Sequence, residues 1–187
     1  MITQYFRCIC FLLLAVTAPV IAEDKPAQPQ LTTHRITGLF APDREADLRR
    51  ALEQLPEVEL ISLNFDHAEA TFRYDPAKAF PGTKPADIEK RFNDKLRSAS
   101  SHTLGVQPLD PAIPKDKLTR IEIPVAGLDC RACSLAAYEI VAKIDGVYQA
   151  TASFKEGRIT ALIDPTKTDR TAIITALTKR NVTVTAP

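Results

Sequence analysis

The chain has 187 residues, enough for one domain or two small ones, and its hydrophobic content of 45% predicts a packed core. Its 24 basic and 23 acidic residues give a formal net charge of +1. Because the basic and acidic residues nearly balance, the composition does not support a nucleic-acid partner, which would require a basic surface.

Residues 1–22 have the composition of a secretory signal peptide. A positively charged start is followed by an apolar stretch at 8–16, which is too short to span a bilayer comfortably, and cleavage is predicted after Ala22. We therefore expect export to the periplasm, with no stable membrane span after cleavage. An uncleaved N-terminus that anchors the chain in the membrane is the alternative. Residues 23–32 are polar and contain prolines, which predicts a disordered leader.

Cleavage would also change the cysteine content of the chain. Cys8 and Cys10 would leave with the signal peptide, so the exported protein would keep Cys130 and Cys133. Two cysteines cannot build a disulfide framework. In an oxidising compartment the pair must bind a metal ion, be kept reduced or close into a short disulfide.

The next segment, residues 33–107, is similar to the C-terminal part of the chain at an offset of 89 residues. Gly38-Leu39 falls on Gly127-Leu128, and matching Val, Phe and Asp-Pro positions follow without a gap. This internal repeat predicts two copies of one fold. Ala41 and Arg44 stand at the positions of Cys130 and Cys133, so the first copy has lost both thiols.

Residues 108–117 contain three prolines, which predicts a stiff linker that holds the two copies at a limited range of separations. The second copy follows at 118–187. Alternating apolar residues predict a strand at 120–125 and a hairpin of 147–154 with 158–163. A second helix is predicted from 168–169, with a left-handed end at Asn181.

The predicted strand at 120–125 leads into residues 127–133, which read Gly-Leu-Asp-Cys-Arg-Ala-Cys, and a predicted helix follows. Two thiols three residues apart at a helix start can converge on one soft metal ion. The free N–H groups and the dipole of the helix favour thiolates there. Arg131, between the two cysteines, is expected to add a positive charge that acts in the same direction.

This loop and the amphipathic helix after it resemble the heavy-metal-associated domain family. That family includes copper chaperones, the periplasmic mercury-binding protein and the N-terminal domains of metal-exporting P-type ATPases. The resemblance covers residues 118 to about 184, with Leu128 in place of the family's usual Met. Asp129 stands where copper chaperones usually carry Thr or His, and where zinc-, cadmium- and lead-exporting ATPases typically carry Asp.

The resemblance implies an α+β protein of two tandem ferredoxin-like βαββαβ domains, each an antiparallel sheet with two helices on one face. The first domain, at 33–107, is degenerate and lacks the metal cysteines, and the domain at 118–187 carries the Cys-x-x-Cys loop. His67 and His102 are predicted near the empty loop of the first domain, with Asp43 and Asp66. Solvated surface histidines are favoured there over a second metal site.

The expected function is therefore metal binding without catalysis. One soft ion, Cu(I), Zn(II), Cd(II), Pb(II) or Hg(II), would bind Cys130 and Cys133 for sequestration or for transfer to a metal transporter or another Cys-x-x-Cys protein. Asp129 is either a third ligand, which would favour Zn(II), Cd(II) or Pb(II) over Cu(I), or a turn residue that accepts helix N–H bonds. A thiol–disulfide redox module and an interaction module that binds no metal are the alternatives. The sequence shows no nucleophile–base pair and no phosphate loop, so we do not expect an enzyme.

Overall fold

A computed structural model describes residues 28–109 and 114–185 of the chain. The predicted signal peptide and residues 23–27 of the predicted leader lie outside these residues. The prediction of disorder is wrong for residues 30–32, which belong to the first strand because they pair with a neighbouring strand. The elements in chain order are β1 (Gln30–Thr37), α1 (Arg44–Leu52), β2 (Val58–Asn64), β3 (Glu69–Tyr74), α2 (Pro76–Ala79), α3 (Ile88–Ala99), β4 (Gly105–Gln107), β5 (Thr119–Ala126), α4 (Arg131–Ala142), β6 (Val147–Ser153), β7 (Arg158–Ile163), α5 (Arg170–Lys179) and β8 (Thr183–Val184).

The strands form two sheets of four strands each, with the orders β2-β3-β1-β4 and β6-β7-β5-β8. All paired strands run antiparallel. Each sheet follows the βαββαβ order of the ferredoxin-like fold, and the first domain adds the short helix α2 between β3 and α3. The predicted fold class, two tandem ferredoxin-like domains, is confirmed.

Each domain has its own hydrophobic core, to which the sheet and both long helices contribute. In the first domain Ile36 of β1 packs with Leu48 of α1 and Phe92 of α3. In the second domain Val141 of α4 and Leu177 of α5 pack over the central strands in the same way. Because both helices of a domain share one core, they cover the same face of its sheet.

Local sequence signals in the second domain act as predicted. The Asp169 carboxylate accepts a hydrogen bond of 2.8 Å from the Ala172 N–H and caps α5. Asn181 has a φ of 61°, the left-handed conformation that ends a helix. The hairpin between β6 and β7 turns at Gly157, where φ is 57°.

The two domains are in direct contact along β6, the edge strand of the second sheet. The backbone N–H of Ala152 on this strand donates a hydrogen bond of 2.9 Å to the carbonyl oxygen of Phe40 in the first domain. The Phe40 ring is 3% exposed and packs within the core of the second domain, with its centroid 5.9 Å from that of Tyr138. The β1–α1 loop of the first domain therefore covers the edge of the second sheet.

The β2–β3 hairpin of the first domain contacts the same edge strand. The Gln149 side chain donates a hydrogen bond of 2.9 Å to the carbonyl oxygen of Phe65, and the Tyr148 hydroxyl lies 2.7 Å from the Glu69 carboxylate. Lys115, just after the proline-rich segment, pairs with the same carboxylate at 2.5 Å. The domains thus pack against each other, a contact that the sequence did not predict. The sequence predicted only a stiff linker and a limited range of separations.

No helix among the residues described is long and apolar enough to cross a membrane.

The hydrogen bond between Gly38 and Tyr138 provides a test of this interface. The buried Gly38 N–H donates to the Tyr138 hydroxyl at 2.7 Å, so Tyr138→Phe leaves an unpaired buried N–H group. We predict a loss of about 1–3 kcal/mol in the free energy of unfolding, measured by urea denaturation. Tyr74→Phe, in the core of the first domain, is the matched control. Equal losses in the two variants would contradict the prediction.

Candidate metal centre

The Cys-x-x-Cys loop joins the central strand β5 to helix α4. Gly127 follows the strand with a φ of +81°, which favours glycine. Leu128 turns inward and packs within the core of the second domain, so it fixes the base of the loop. Asp129 and Cys130 are exposed above it. A buried apolar residue therefore holds the loop while its polar residues face solvent.

The two cysteines lie at the start of α4, as predicted: Cys130 just before the helix and Cys133 in its first turn. Cys130 is the N-cap residue, with an extended backbone, and its sulfur accepts a hydrogen bond of 3.2 Å from the Cys133 N–H. Both cysteines are free thiols; Cys130 is exposed and Cys133 is half-buried against the core. The sulfur of Cys130 thus fills the place that a Ser or Asp side chain usually takes at a helix start.

The hydrogen bonds between the two cysteines separate their pKa values. The neighbouring Cys133 thiol, and then its backbone N–H, lower the pKa of Cys130, while the Asp129 carboxylate acts in the opposite direction. The contact with the Cys130 side chain raises the pKa of Cys133. The direction expected for a thiol at a helix start is therefore found at Cys130 and not at Cys133, where the neighbouring sulfur disfavours a second negative charge.

Arg131 forms contacts that the sequence did not predict. Its guanidinium pairs with Asp47 at 2.5 Å and Asp43 at 3.4 Å, both in the first domain. The carboxylates of the other domain share its charge, and the expected contribution of Arg131 to thiolate formation stays a prediction.

Asp129 has two predicted roles, metal ligand or helix cap. In the structure Cys130 caps the helix, so Asp129 does not have the predicted role of helix cap. Within residues 28–109 and 114–185, no three His, Cys, Asp or Glu side chains are grouped to hold a metal ion. A three-ligand site with Asp129 would therefore require the loop to move, and its role as a ligand stays a prediction.

The equivalent loop of the first domain is closed by an arginine. Arg44, at the repeat position of Cys133, is buried, and its guanidinium donates to the carbonyl oxygen of Gly38 at 3.0 Å and to the Thr103 hydroxyl at 2.7 Å. It also pairs with Asp47. The first domain therefore has a fixed positive charge at the position that is equivalent to the thiol site of the second domain.

The histidines of the first domain form no metal site in the described part of the chain. His67 bonds with Asn64 in the β2–β3 turn, and His102 is exposed. Nothing in the sequence pattern marked His34 as buried, but its ring lies in the core of the first domain, 5.7 Å from that of Phe92. Burial lowers the pKa of His34 and so favours the neutral ring.

These observations define a tandem ferredoxin-like protein with one open dithiol loop and one closed loop. No family model matches the chain. Over 146 residues it is 25% identical to copper-transporting ATPase 2 of Homo sapiens, a match that covers 70% of this chain and 10% of that protein. The chain therefore spans about a tenth of the length of this relative.

Solved structures similar to the chain include the N-terminal soluble domains of Bacillus subtilis CopA, at 19% identity and a TM-score of 0.34. That match covers 84% of this chain and 93% of the other. Oxidized MerP from Ralstonia metallidurans CH34 is 19% identical, with a TM-score of 0.35, and covers 36% of this chain and 94% of its own length. The resemblance to tandem heavy-metal-associated domains predicted from the sequence is confirmed, and the strand order of the two sheets carries the fold.

The split between the two thiol pKa values leads to a test of the loop geometry. Cys133→Ala removes the thiol donor and keeps the backbone N–H, so the pKa of Cys130 should rise toward its ordinary value. At a pH below this pKa, the variant has a smaller fraction of Cys130 thiolate than the wild type. We predict that alkylation of Cys130 by iodoacetamide slows by about two- to ten-fold. Peptide mass spectrometry gives the rate at this site.

The matched variant Cys133→Ser restores a hydroxyl donor and should recover part of the alkylation rate. An unchanged rate in Cys133→Ala would show that the second thiol does not stabilise the first thiolate.

Proposed function

We propose that this protein binds one soft metal ion through Cys130 and Cys133 and holds it for sequestration or for transfer to a partner. The observation that carries this proposal is the exposed pair of free thiols in one helix turn, with the sulfur of Cys130 within hydrogen-bond distance of the Cys133 N–H. Thiolates are the ligands that Cu(I), Hg(II), Cd(II), Pb(II) and Zn(II) share. The human relative is named as a copper-transporting ATPase, which supports metal handling as the class of function.

The exposure of the loop suits exchange better than permanent storage. A thiolate of a partner can bind the ion while one of the two sulfurs is still attached, so the ion is never released to water. A closed structural site would instead supply four ligands and exclude a partner. The partner is accordingly a metal transporter or another Cys-x-x-Cys protein, and the protein itself is not an enzyme.

The charge near the loop favours a divalent ion. Because Arg131 is paired with Asp47 and Asp43, part of its positive charge is taken up by carboxylates of the first domain. The Asp129 carboxylate is exposed and close enough to act on the pKa of Cys130. We infer that Asp129 becomes a third ligand when Zn(II), Cd(II) or Pb(II) binds, whereas Cu(I) needs the two sulfurs only.

The compartment proposed for this function is the periplasm, on the basis of the signal-peptide composition of residues 1–22. An uncleaved N-terminus would place the same site at a membrane surface. The first domain serves as a support docked on the second domain, since its β1–α1 loop and β2–β3 hairpin both pack against β6.

Native mass spectrometry tests the metal-binding proposal directly. Reduced protein is titrated separately with Cu(I), Zn(II) and Hg(II), beside the Cys130→Ser/Cys133→Ser variant. We predict one bound ion per chain, lost in the variant. If none of the three ions binds, the proposal is wrong, and the thiol–disulfide redox alternative gains support from the lowered pKa of the exposed Cys130.

The role of Asp129 is tested by Asp129→Asn, which keeps the shape of the side chain and removes its charge. We predict that Zn(II) affinity falls by at least about ten-fold, while Cu(I) affinity stays within about two-fold, in competition titrations with chelating dyes. Asp145→Asn, an exposed carboxylate just after α4, is the matched control. Unchanged Zn(II) affinity would remove Asp129 from the site.

A further inference from the structure

Asp47 in α1 of the first domain lies at the junction between the two loops. One of its carboxylate oxygens accepts hydrogen bonds from both Arg44 and Arg131, and the other accepts from Arg50 at 3.1 Å. The Asp47 side chain is 18% exposed. A largely buried carboxylate of the first domain is thus bonded to the residue between the two cysteines of the second.

Arg44 fixes the position of this carboxylate. Its side chain is 8% exposed, its guanidinium donates to the backbone of Gly38 and to Thr103, and it lies over the Phe40 ring at 5.2 Å from the centroid. The β1–α1 loop, the α3–β4 loop and α1 are all joined through this one side chain. The Asp47 carboxylate is consequently held by the guanidinium of Arg44, which is itself fixed by these contacts.

Arg131 transmits this restraint to the cysteines. It is the first residue of α4, directly after Cys130, and Cys133 lies two residues further along the same turn. Its backbone belongs to the turn that brings the two sulfurs together. Fixing its side chain on the first domain therefore restricts the motion of the peptide between the two cysteines.

An isolated exposed ion pair would have little effect on such a loop, because solvent screens it and ordering two long side chains costs entropy. The pair at Asp47 differs in two ways. Its carboxylate is mostly buried and already ordered by Arg44, and a second carboxylate, that of Asp43, lies 3.4 Å from the same guanidinium. Within the Arg131–Asp47 pair, only the Arg131 side chain, which is 49% exposed, has to be ordered.

We propose that Asp47 is a positioning residue for the metal loop: through Arg131 it holds the peptide between Cys130 and Cys133 in the geometry that binds the ion. This inference rests on the proposed function. The degenerate first domain then acts on the site of the second domain without supplying a ligand. Loss of the Asp47 charge should loosen the loop and speed release of the ion.

Amide hydrogen exchange of the reduced, metal-free full chain is the first part of the experiment. Asp47→Asn should lower the protection factors of the amides at 131–134 by about two- to five-fold relative to the wild type. Arg131→Met, which keeps a long unbranched side chain, should produce the same loss. Glu45→Gln is the matched control, since Glu45 forms an exposed pair with Arg49 on the same helix.

The second part follows Cu(I) release to an excess of a chelating dye. We expect release about two- to five-fold faster in Asp47→Asn and Arg131→Met than in the wild type and Glu45→Gln. The double variant Asp47→Asn/Arg131→Met should release Cu(I) no faster than either single variant, because both changes remove the same restraint.

Unchanged protection at 131–134 in both variants would overturn the inference. Lower protection in Asp47→Asn with unchanged protection in Arg131→Met would also overturn the inference. Asp47 would then act through Arg44 and the stability of the first domain. A wild-type chain that binds no Cu(I) would contradict the proposed function for that ion, while the hydrogen-exchange measurement would still decide whether Asp47 positions the loop.

Discussion

The relative placement of the two domains depends on the burial of Phe40 in the core of the second domain. The ring adds to a hydrophobic cluster built by α4 and the second sheet, and the Phe40 carbonyl pairs with the edge strand β6. Burial of an aromatic side chain and satisfaction of an edge-strand N–H both favour the docked arrangement. The loop that contains Phe40 is thereby immobilised against a neighbour.

A loop immobilised in this way cannot also exchange ions with a partner. In the second domain the corresponding loop is open, and its two thiols face solvent or lie just below the surface. In the first domain Ala41 and Arg44 replace those thiols, and the Arg44 guanidinium bonds to the surrounding oxygen atoms. The positive charge that a bound ion would bring to the second loop is supplied in the first loop by a permanent side chain. Arg44 also lies over the Phe40 ring, so the closed loop and the domain interface share this side chain.

The elements that depend on local sequence could be predicted. The repeat located both domains, alternation located the hairpin of β6 and β7, and Asp169 and Asn181 marked the ends of α5. The position of the two cysteines at the start of α4, one at the N-cap and one in the first turn, followed from their spacing after a strand.

What the sequence did not reveal was set by contacts between residues far apart in the chain. Arg131 lies between two cysteines, and proximity in sequence suggested that its charge acts on them. In the folded protein Asp47, 84 residues earlier, binds the guanidinium. Phe40 is an apolar residue in a loop, and nothing local indicates that it belongs to the other domain's core. Both contacts went unpredicted for the same reason, since docking of two domains of one chain leaves no periodic pattern in the sequence.

The geometry of the loop also orders the steps of any ion exchange there. Cys130 is exposed, caps the helix with its sulfur and has the lowered pKa, whereas Cys133 is half-buried against the core. In the proposed function, an incoming thiolate would meet the ion from the exposed side, so the bond to Cys130 would be the first that a partner replaces. Cys133 would then hold the ion until the partner supplies a second sulfur. Because Arg131 is anchored to the first domain, the turn that joins the two sulfurs keeps its shape while one bond is exchanged.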